Sequence, residues 1–260
     1  MYRRNRRRRQ ARRNKTLLAG ALVSGCLLLG AAQALSGPPA PVPVVPDTPR
    51  LTLALTAPPV QATPAAEPSP TPDAALWNLA LVNPWTPLPE DYQVTLTTLK
   101  NGHSVDERCY PDLQAMMDGC RAAGLQPVIC SSYRTQEKQT RLYNNQVDKL
   151  VARGYSRADA EAEAGKAVAV PGTSEHQLGL AVDIVDLSNQ NLNESQEDTA
   201  VQKWLMEHCW EYGFILRYPS GKSDITGIIY EPWHYRYVGR EAALDIRAQG
   251  VCLEEYLGAD

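Results

Sequence analysis

The sequence predicts an α+β domain in which helices pack on a small antiparallel sheet. Apolar residues recur at helical spacing over residues 112–122, 135–151 and 156–168, as in helices that cover one face of a core. Later runs at 180–185 and 233–238 are short and rich in β-branched or aromatic residues, which is typical of strands. Helices first, then strands with one further helix, indicate the α+β class.

The first half of the domain brings a polar residue to a junction between a strand and a helix. The helix over residues 112–122 ends at Gly124, and a short buried strand over 126–130 leads into Arg134. Thr135 can cap the helix that follows. Arg134 is therefore a candidate functional residue, because side chains at such junctions are often presented to ligands.

The second half supplies most of the predicted sheet. The strand over 180–185 carries Asp183, and a helix over 201–212 follows it. Two strands, 228–230 and 233–238, are separated by a proline. Alternation along the last strand places three side chains on one face: His234, Arg236 and Val238.

The first 35 residues predict a single membrane span. Residues 1–15 hold nine Arg or Lys and no acid, so 17 of the 26 basic residues remain against 29 acidic ones, a formal charge of −12 for the rest. An acidic body argues against nucleic-acid binding. Residues 16–35 are uncharged and mostly apolar, long enough to cross a hydrocarbon core, and the basic residues before them predict a cytoplasmic N-terminus.

The apolar segment has three alternative fates, all of which export the rest of the chain. It is an uncleaved signal anchor, a signal peptide cut after Ala32-Gln33-Ala34, or a site of lipid attachment at Cys26. The apolar run continues beyond Cys26, which argues against lipidation. We favour the anchor because the span is long, and expect a single-pass protein of the cell membrane with an extracellular folded domain; secretion after cleavage is the alternative.

A proline-rich segment follows the span. Fifteen of the 20 prolines lie between residues 37 and 90, so we expect residues 36–90 to form a disordered linker and 91–260 the folded domain, although residues suited to a core begin near Leu76. In an oxidising compartment we expect one or two disulfides and at least one free thiol. The cysteines concerned are Cys109, Cys120, Cys130, Cys209 and Cys252.

Two short motifs hold the residues expected of a metal-dependent hydrolase. His176 and Asp183 lie in the first motif, and Glu231 and His234 in the second. Two imidazoles and one carboxylate give zinc three ligands and leave one position open for water. Glu231 is close enough to His234 to exchange a proton with that water without being a ligand. The sequence therefore predicts a hydrolase with one zinc ion per chain.

Other interpretations of these polar residues are weaker. The chain has four histidines, of which His208 lies on an apolar helical stripe and His103 in a loop, so neither is a predicted ligand. A nucleophilic triad of Ser174, His176 and Asp183 is the alternative chemistry. Ser174 and His176 would not readily meet across one loop, and no G-x-S-x-G elbow is present.

Three motifs occur in order along the domain: Ser132-Tyr133-Arg134, Ser174-x-His176-x-x-Gly179-x-Ala181-x-Asp183 and Glu231-x-x-His234-Tyr235-Arg236. They resemble the D-alanyl-D-alanine carboxypeptidases of the VanY type, within the M15 metallopeptidases. The likeness runs from about residue 125 to 240, outside the N-terminal span and the linker. It implies the hedgehog-like fold of the zinc DD-peptidases.

The resemblance implies an exported zinc D,D-carboxypeptidase that removes the C-terminal D-Ala from peptidoglycan stem peptides, and we expect a monomer. It assigns zinc ligands, a general base, an oxyanion-stabilising arginine and three substrate-binding residues. In this assignment His176, Asp183 and His234 are the zinc ligands, Glu231 is the general base and Arg134 is the arginine. The substrate-binding residues are Ser174, Gln139 and Tyr218.

Two alternative functions stay open. An L,D-carboxypeptidase acting on tetrapeptide stems would use the same residues, because chiral preference lies in the shape of the pocket. A non-catalytic peptidoglycan-binding module is the alternative from another class. The complete ligand set together with Glu231 argues against that module.

Overall fold

The computed structural model describes residues 76–259, and the predicted basic tail, the apolar span and most of the linker lie outside them. The strands are β1 (Leu96–Thr98), β2 (Ser104–Asp106), β3 (Pro127–Ser131), β4 (Ala181–Asp186), β5 (Phe214–Leu216) and β6 (His234–Tyr237). The helices are α1 (Tyr110–Ala122), α2 (Gln136–Val151), α3 (Arg157–Ala167), α4 (Ala200–His208), α5 (Ser223–Thr226), α6 (Arg240–Gln249) and α7 (Leu253–Leu257). Within residues 76–259 no helix has the length and apolar character of a membrane span.

A four-stranded antiparallel sheet lies at the centre of the domain, in the order β3-β4-β6-β5. Strands β1 and β2 form a separate antiparallel hairpin. The predicted α+β class with an antiparallel sheet is confirmed. In the register of the central strands, Asp183 of β4 lies opposite His234 of β6 on one side and opposite Ser131 of β3 on the other.

Apolar side chains of α1 and α4 pack on the sheet to form the main core. The buried residues of α1 recur every three or four positions, which gives the helix one apolar face: Leu113, Met116, Met117 and Cys120. Helices α2 and α3 pack on each other around Val147 and Leu150, where Ala160 and Ala164 let the two helices approach closely. The predicted caps are present, since the Thr135 and Ser156 side chains each accept a backbone N–H bond.

Residues 228–230 are not the strand that the sequence predicted. Ile229 is 41% exposed, and its N–H donates to the carbonyl of Lys166 instead of to a strand ladder. The turn at Gly227, with φ at 76°, and the missing donor at Pro232 prevent the segment from pairing with the sheet. Strand β6 therefore begins only at His234.

Residues 76–90, which the sequence placed in the linker, are part of the folded domain. Val82 is 2% exposed and Asn83 is 4% exposed. The Trp77 ring stacks on the ring of Tyr237 with centroids 5.7 Å apart, and the Asn78 side chain donates to the carbonyl of Val238. The segment therefore packs against β6 and the residue directly after it, and the folded domain begins before residue 91.

The structure corrects the expectation of disulfides, because all five cysteines of the described domain are unpaired. Four thiols are buried and that of Cys130 is partly buried. Cys109, Cys120 and Cys209 fill space in the main apolar cluster. A domain of this size buries enough apolar surface to be stable without covalent crosslinks.

Candidate metal centre

The three predicted ligands come together in the interior of the domain. His176 lies in a 3-10 turn, Glu175–Leu178, and is followed by Asp183 in β4 and His234 in β6. Each offers one ligand atom, and these atoms lie within 4.8 Å of one another. Sheet pairing aligns Asp183 with His234, while Gly179, at φ of 79°, reverses the chain so that His176 returns over β4.

The distances in this cluster are short enough for the three side chains to share one ion. His176 Nε2 lies 3.3 Å from Asp183 Oδ2, and His234 Nδ1 lies 3.0 Å from Asp183 Oδ1. His176 Nδ1 lies 2.9 Å from the carbonyl of Ser132, which accepts a hydrogen from that nitrogen. That bond leaves Nε2 of His176 as the free ligand atom.

Burial and neighbouring charges shift the pKa values of the two histidines in opposite directions. Burial, reinforced by Arg134, lowers the pKa of His176 to about 4. Burial also opposes a charge on His234, but its hydrogen bond to Asp183 and the nearby carboxylate of Glu175 raise the pKa to about 9. Burial alone would raise the pKa of Asp183, yet the adjacent histidines and Arg134 hold it well below its usual value.

The chemistry of this donor set fits zinc. Two imidazole nitrogens and one carboxylate oxygen, held by separate elements around a single point, are the three protein ligands typical of a catalytic zinc site. The residues that would hold the ion are His176, Asp183 and His234.

Glu231 lies beside the cluster but outside the ligand set. Its Oε2 is 3.7 Å from His234 Nδ1, and the residue is 7% exposed. Burial, with a further contribution from Asp183, raises the pKa of Glu231 to about 8. A carboxylate with such proton affinity next to a reacting water is suited to general base and general acid work.

Arg134 reaches the cluster from the junction after β3. Its Nη2 donates to Asp183 Oδ2 at 2.8 Å, and its Nε donates to Ser131 Oγ at 3.0 Å. Its Nη1 donates to Gln139 Oε1 at 3.3 Å. These bonds fix the guanidinium plane at the edge of the metal-ligand cluster.

The three predicted substrate-binding residues have different surroundings. The Tyr218 ring lies 4.8 Å from the His234 ring, and Ser174 is buried at the start of the turn that carries His176. Gln139 is fully buried, and its amide donates to the carbonyl of Ala169 at 2.7 Å. The structure thus places Gln139 behind Arg134, as a support for that side chain.

The two remaining histidines are not members of the ligand cluster. His103 is partly buried in the turn between β1 and β2. The His208 side chain is 34% exposed although it lies on an apolar helical stripe, and its Nδ1 is 2.8 Å from Glu211 Oε1. Neither residue belongs to the group of side chains that could hold a metal in the described chain.

A buried ionic network behind His234 was missed at the level of sequence. Arg217 Nε and Arg236 Nη1 both donate to Glu175, at 2.7 and 2.6 Å. Arg217 also forms two bonds to Glu254, at 2.8 and 2.6 Å. All four side chains are almost completely buried. Arginines within strand-like apolar segments were the signal, because they require buried carboxylates as partners.

The sequence and the structure are similar to known peptidases. Residues 102–240 match the family model VanY, described as D-alanyl-D-alanine carboxypeptidase. A D-alanyl-D-alanine carboxypeptidase of Enterococcus faecalis is 50% identical over 189 residues, which cover 72% of this chain and 68% of that protein.

Three solved structures share the fold. A mutant of the vancomycin resistance D,D-pentapeptidase VanY from a VanB-type cassette, in complex with Zn(II), is 50% identical with a TM-score of 0.64, over 70% of this chain and 99% of that one. VanYB in complex with D-alanine-D-alanine is 49% identical with a TM-score of 0.66, over 71% and 99%. The LD-carboxypeptidase LdcB is 36% identical with a TM-score of 0.61, over 70% and 87%.

Proposed function

The chain belongs to the VanY family of D-alanyl-D-alanine carboxypeptidases, and from this premise we propose that it removes the C-terminal D-Ala from peptidoglycan stem peptides as a zinc-dependent D,D-carboxypeptidase. The observation that carries the proposal is the buried set of His176, Asp183 and His234, with Glu231 and Arg134 at its edge. A binding module would not require a buried carboxylate of raised pKa beside three metal-ligand atoms.

The reaction divides between the metal and the side chains around it. When bound, zinc lowers the pKa of a water molecule to about 7 and polarises the scissile carbonyl. Glu231 accepts the proton of the attacking water and returns it to the leaving amine. Arg134 donates N–H groups toward the carbonyl oxygen as it gains negative charge.

The D,D specificity is favoured over the L,D alternative. The relatives at 49 and 50% identity include a D,D-pentapeptidase and a protein bound to D-alanine-D-alanine, whereas the LD-carboxypeptidase neighbour is 36% identical. The catalytic residues would be common to both reactions. Discrimination therefore belongs to the pocket that receives the penultimate residue.

The proposed location is the outer side of the cell membrane, with the chain anchored by residues 16–35. The basic residues immediately before this apolar span support the orientation. Protease treatment of intact cells should degrade the folded domain while the membrane fraction keeps the N-terminal epitope. Full protection of the domain, or its recovery in the medium, would contradict the anchored topology.

Defined stem peptides test the activity. The purified full-length chain is incubated with pentapeptide ending in D-Ala-D-Ala and with tetrapeptide ending in a single D-Ala, and released D-Ala is measured by mass. Cleavage of the pentapeptide alone, abolished by a chelator and restored by zinc, is the expected result. Cleavage of the tetrapeptide alone would establish the L,D reaction, and zinc binding without cleavage of either peptide would establish a binding module.

A further inference from the structure

Glu175 lies between the metal-ligand cluster and a pair of buried arginines. One carboxylate oxygen, Oε1, accepts the hydrogen bonds from Arg217 and Arg236. The other oxygen, Oε2, lies 3.6 Å from His234 Nε2. In the part of the chain that the structure describes, Glu175 Oε2 and His234 Nε2 are the two buried side-chain polar atoms without a hydrogen-bond partner, and they face each other.

The charges of the network balance without any contribution from His234. Two carboxylates, Glu175 and Glu254, are paired with two guanidinium groups, Arg217 and Arg236. The free oxygen of Glu175 thus lacks a hydrogen-bond donor and not a counter-charge. A neutral imidazole N–H supplies that donor, and without it a buried carboxylate oxygen keeps an unsatisfied acceptor site.

The remaining neighbours of His234 hold the plane of its ring. The Tyr218 ring packs at 4.8 Å on one side, and the His176 ring approaches edge-on at 4.8 Å with an interplanar angle of 89°. Because the ring is confined in this way, its Nε2 points toward Glu175 while its Nδ1 points toward Asp183. A movement of about half an ångström brings the first contact to hydrogen-bond length.

We propose that Glu175 is a positioning residue for His234, whose Nε2–H it accepts so that Nδ1 stays free to bind zinc. The inference rests on the zinc site of the proposed function and adds the residue that selects the ligand atom of His234. A carboxylate behind a ligand histidine fixes its tautomer and its orientation. The turn Glu175–Leu178 thus provides one ligand, His176, and orients another.

Zinc affinity in two matched variants tests the proposal. Glu175→Gln keeps the size of the side chain but removes the acceptor charge, and we expect zinc affinity to fall about 10- to 100-fold in a competition titration. Glu254→Gln removes an equally buried carboxylate that binds Arg217 but does not contact His234. Its effect on zinc affinity should be much smaller.

Equal affinity in Glu175→Gln and the unmodified protein would overturn the positioning role, and so would equal losses in the two variants, since the network charge alone would then explain them. An unmodified protein that binds no zinc would instead overturn the proposed function on which this inference depends.

Nitrogen NMR of the unmodified, zinc-loaded chain needs no variant to fold. With ¹⁵N-labelled histidine only four side chains contribute signals. His234 should show Nδ1 shifted by metal binding and Nε2 carrying a slowly exchanging hydrogen. Metal binding at Nε2 of His234 would overturn the proposal directly.

Discussion

Proton transfer and metal binding are assigned to different side chains, the first to Glu231 and the second to the three predicted ligands. Glu231 Oε2 is 3.7 Å from His234 Nδ1, so it can reach a reacting water without being needed to hold the ion. We predict that Glu231→Gln keeps its zinc content and loses about 10²- to 10⁴-fold in kcat. Metal analysis and D-Ala release on the same sample check this, with the exposed Glu163→Gln as the control. Near-normal turnover would remove Glu231 from the mechanism.

A substitution of Arg134 should change the kinetics in a different way, because its N–H groups stabilise the negative charge of the transition state. Arg134→Ala should lower kcat about 10²- to 10³-fold with a smaller change in KM. Arg121→Ala, which breaks an exposed pair with Asp118, should leave both constants unchanged. Loss of zinc in Arg134→Ala with normal activity per bound zinc would show that the arginine only supports Asp183.

At the scale of elements, the turn between His176 and β4 depends on Gly179. Its φ is 79°, and a Cβ there would lie 3.1 Å from the backbone nitrogen of Asp106. Gly102 has a similar φ of 81° but open space around it. Gly102→Ala should cost about 1–2 kcal/mol in unfolding free energy from the backbone conformation alone, and Gly179→Ala should cost more. Denaturant unfolding of the two variants measures the difference, and equal costs would show that β2 yields to the added methyl group.

Helix α7 carries Glu254 into the buried network, and Glu255 fixes the start of that helix. Glu255 binds Lys222 Nζ and the backbone nitrogen of Cys252, both at 2.7 Å, and these bonds lower its pKa from 4.5 to about 2. A carboxylate whose pKa is lower in the folded than in the unfolded chain stabilises the fold at pH values above its unfolded pKa. That contribution to stability is lost as the pH falls toward the folded-state pKa. Glu255→Ala should therefore be less stable than the unmodified chain at neutral pH.

That stability gap should narrow as pH is lowered from about 5 to about 3, when measured by denaturant unfolding of both proteins at each pH. Because Lys222 and Cys252 belong to different elements, a gap that does not change with pH would mean that helix capping by geometry, and not the charge of Glu255, stabilises α7.

The elements that hold the ligands were predictable because their signals are local. The caps at Thr135 and Ser156 and the strand around Asp183 follow from neighbouring residues. The hairpin of β1 and β2, the fate of residues 228–230 and the partners of Arg217 depend on distant segments. The role of Gln139 as a support for Arg134 likewise needed the position of Ala169, 30 residues away.

At the scale of the molecule, residues 76–90 connect the linker to the interior of the domain. Arg236, which binds Glu175, also donates to the carbonyls of Asn78 and Ala80 at 3.0 and 2.8 Å. The reference for this prediction is a chain that begins at residue 76, where the described structure starts. Removal of residues 1–90 should lower the unfolding free energy by at least about 2 kcal/mol, because Val82 and the partners of Arg236 are lost. Denaturant unfolding of the chains 76–260 and 91–260 measures the difference, and equal unfolding free energies would show that residues 76–90 belong to the linker.

The unpaired cysteines bear on when the enzyme becomes competent. Burial raises the pKa of Cys109, Cys130 and Cys209 to about 12 and that of Cys120 and Cys252 to about 11, so their thiols stay protonated and unreactive. Folding of the domain therefore requires no oxidoreductase. A secreted enzyme that depends on disulfides is kept inactive by the reducing cytoplasm until it leaves the cell. The described domain has no such disulfide-dependent control, so under the proposed topology translocation is what separates the folded enzyme from cell-wall precursors inside the cell.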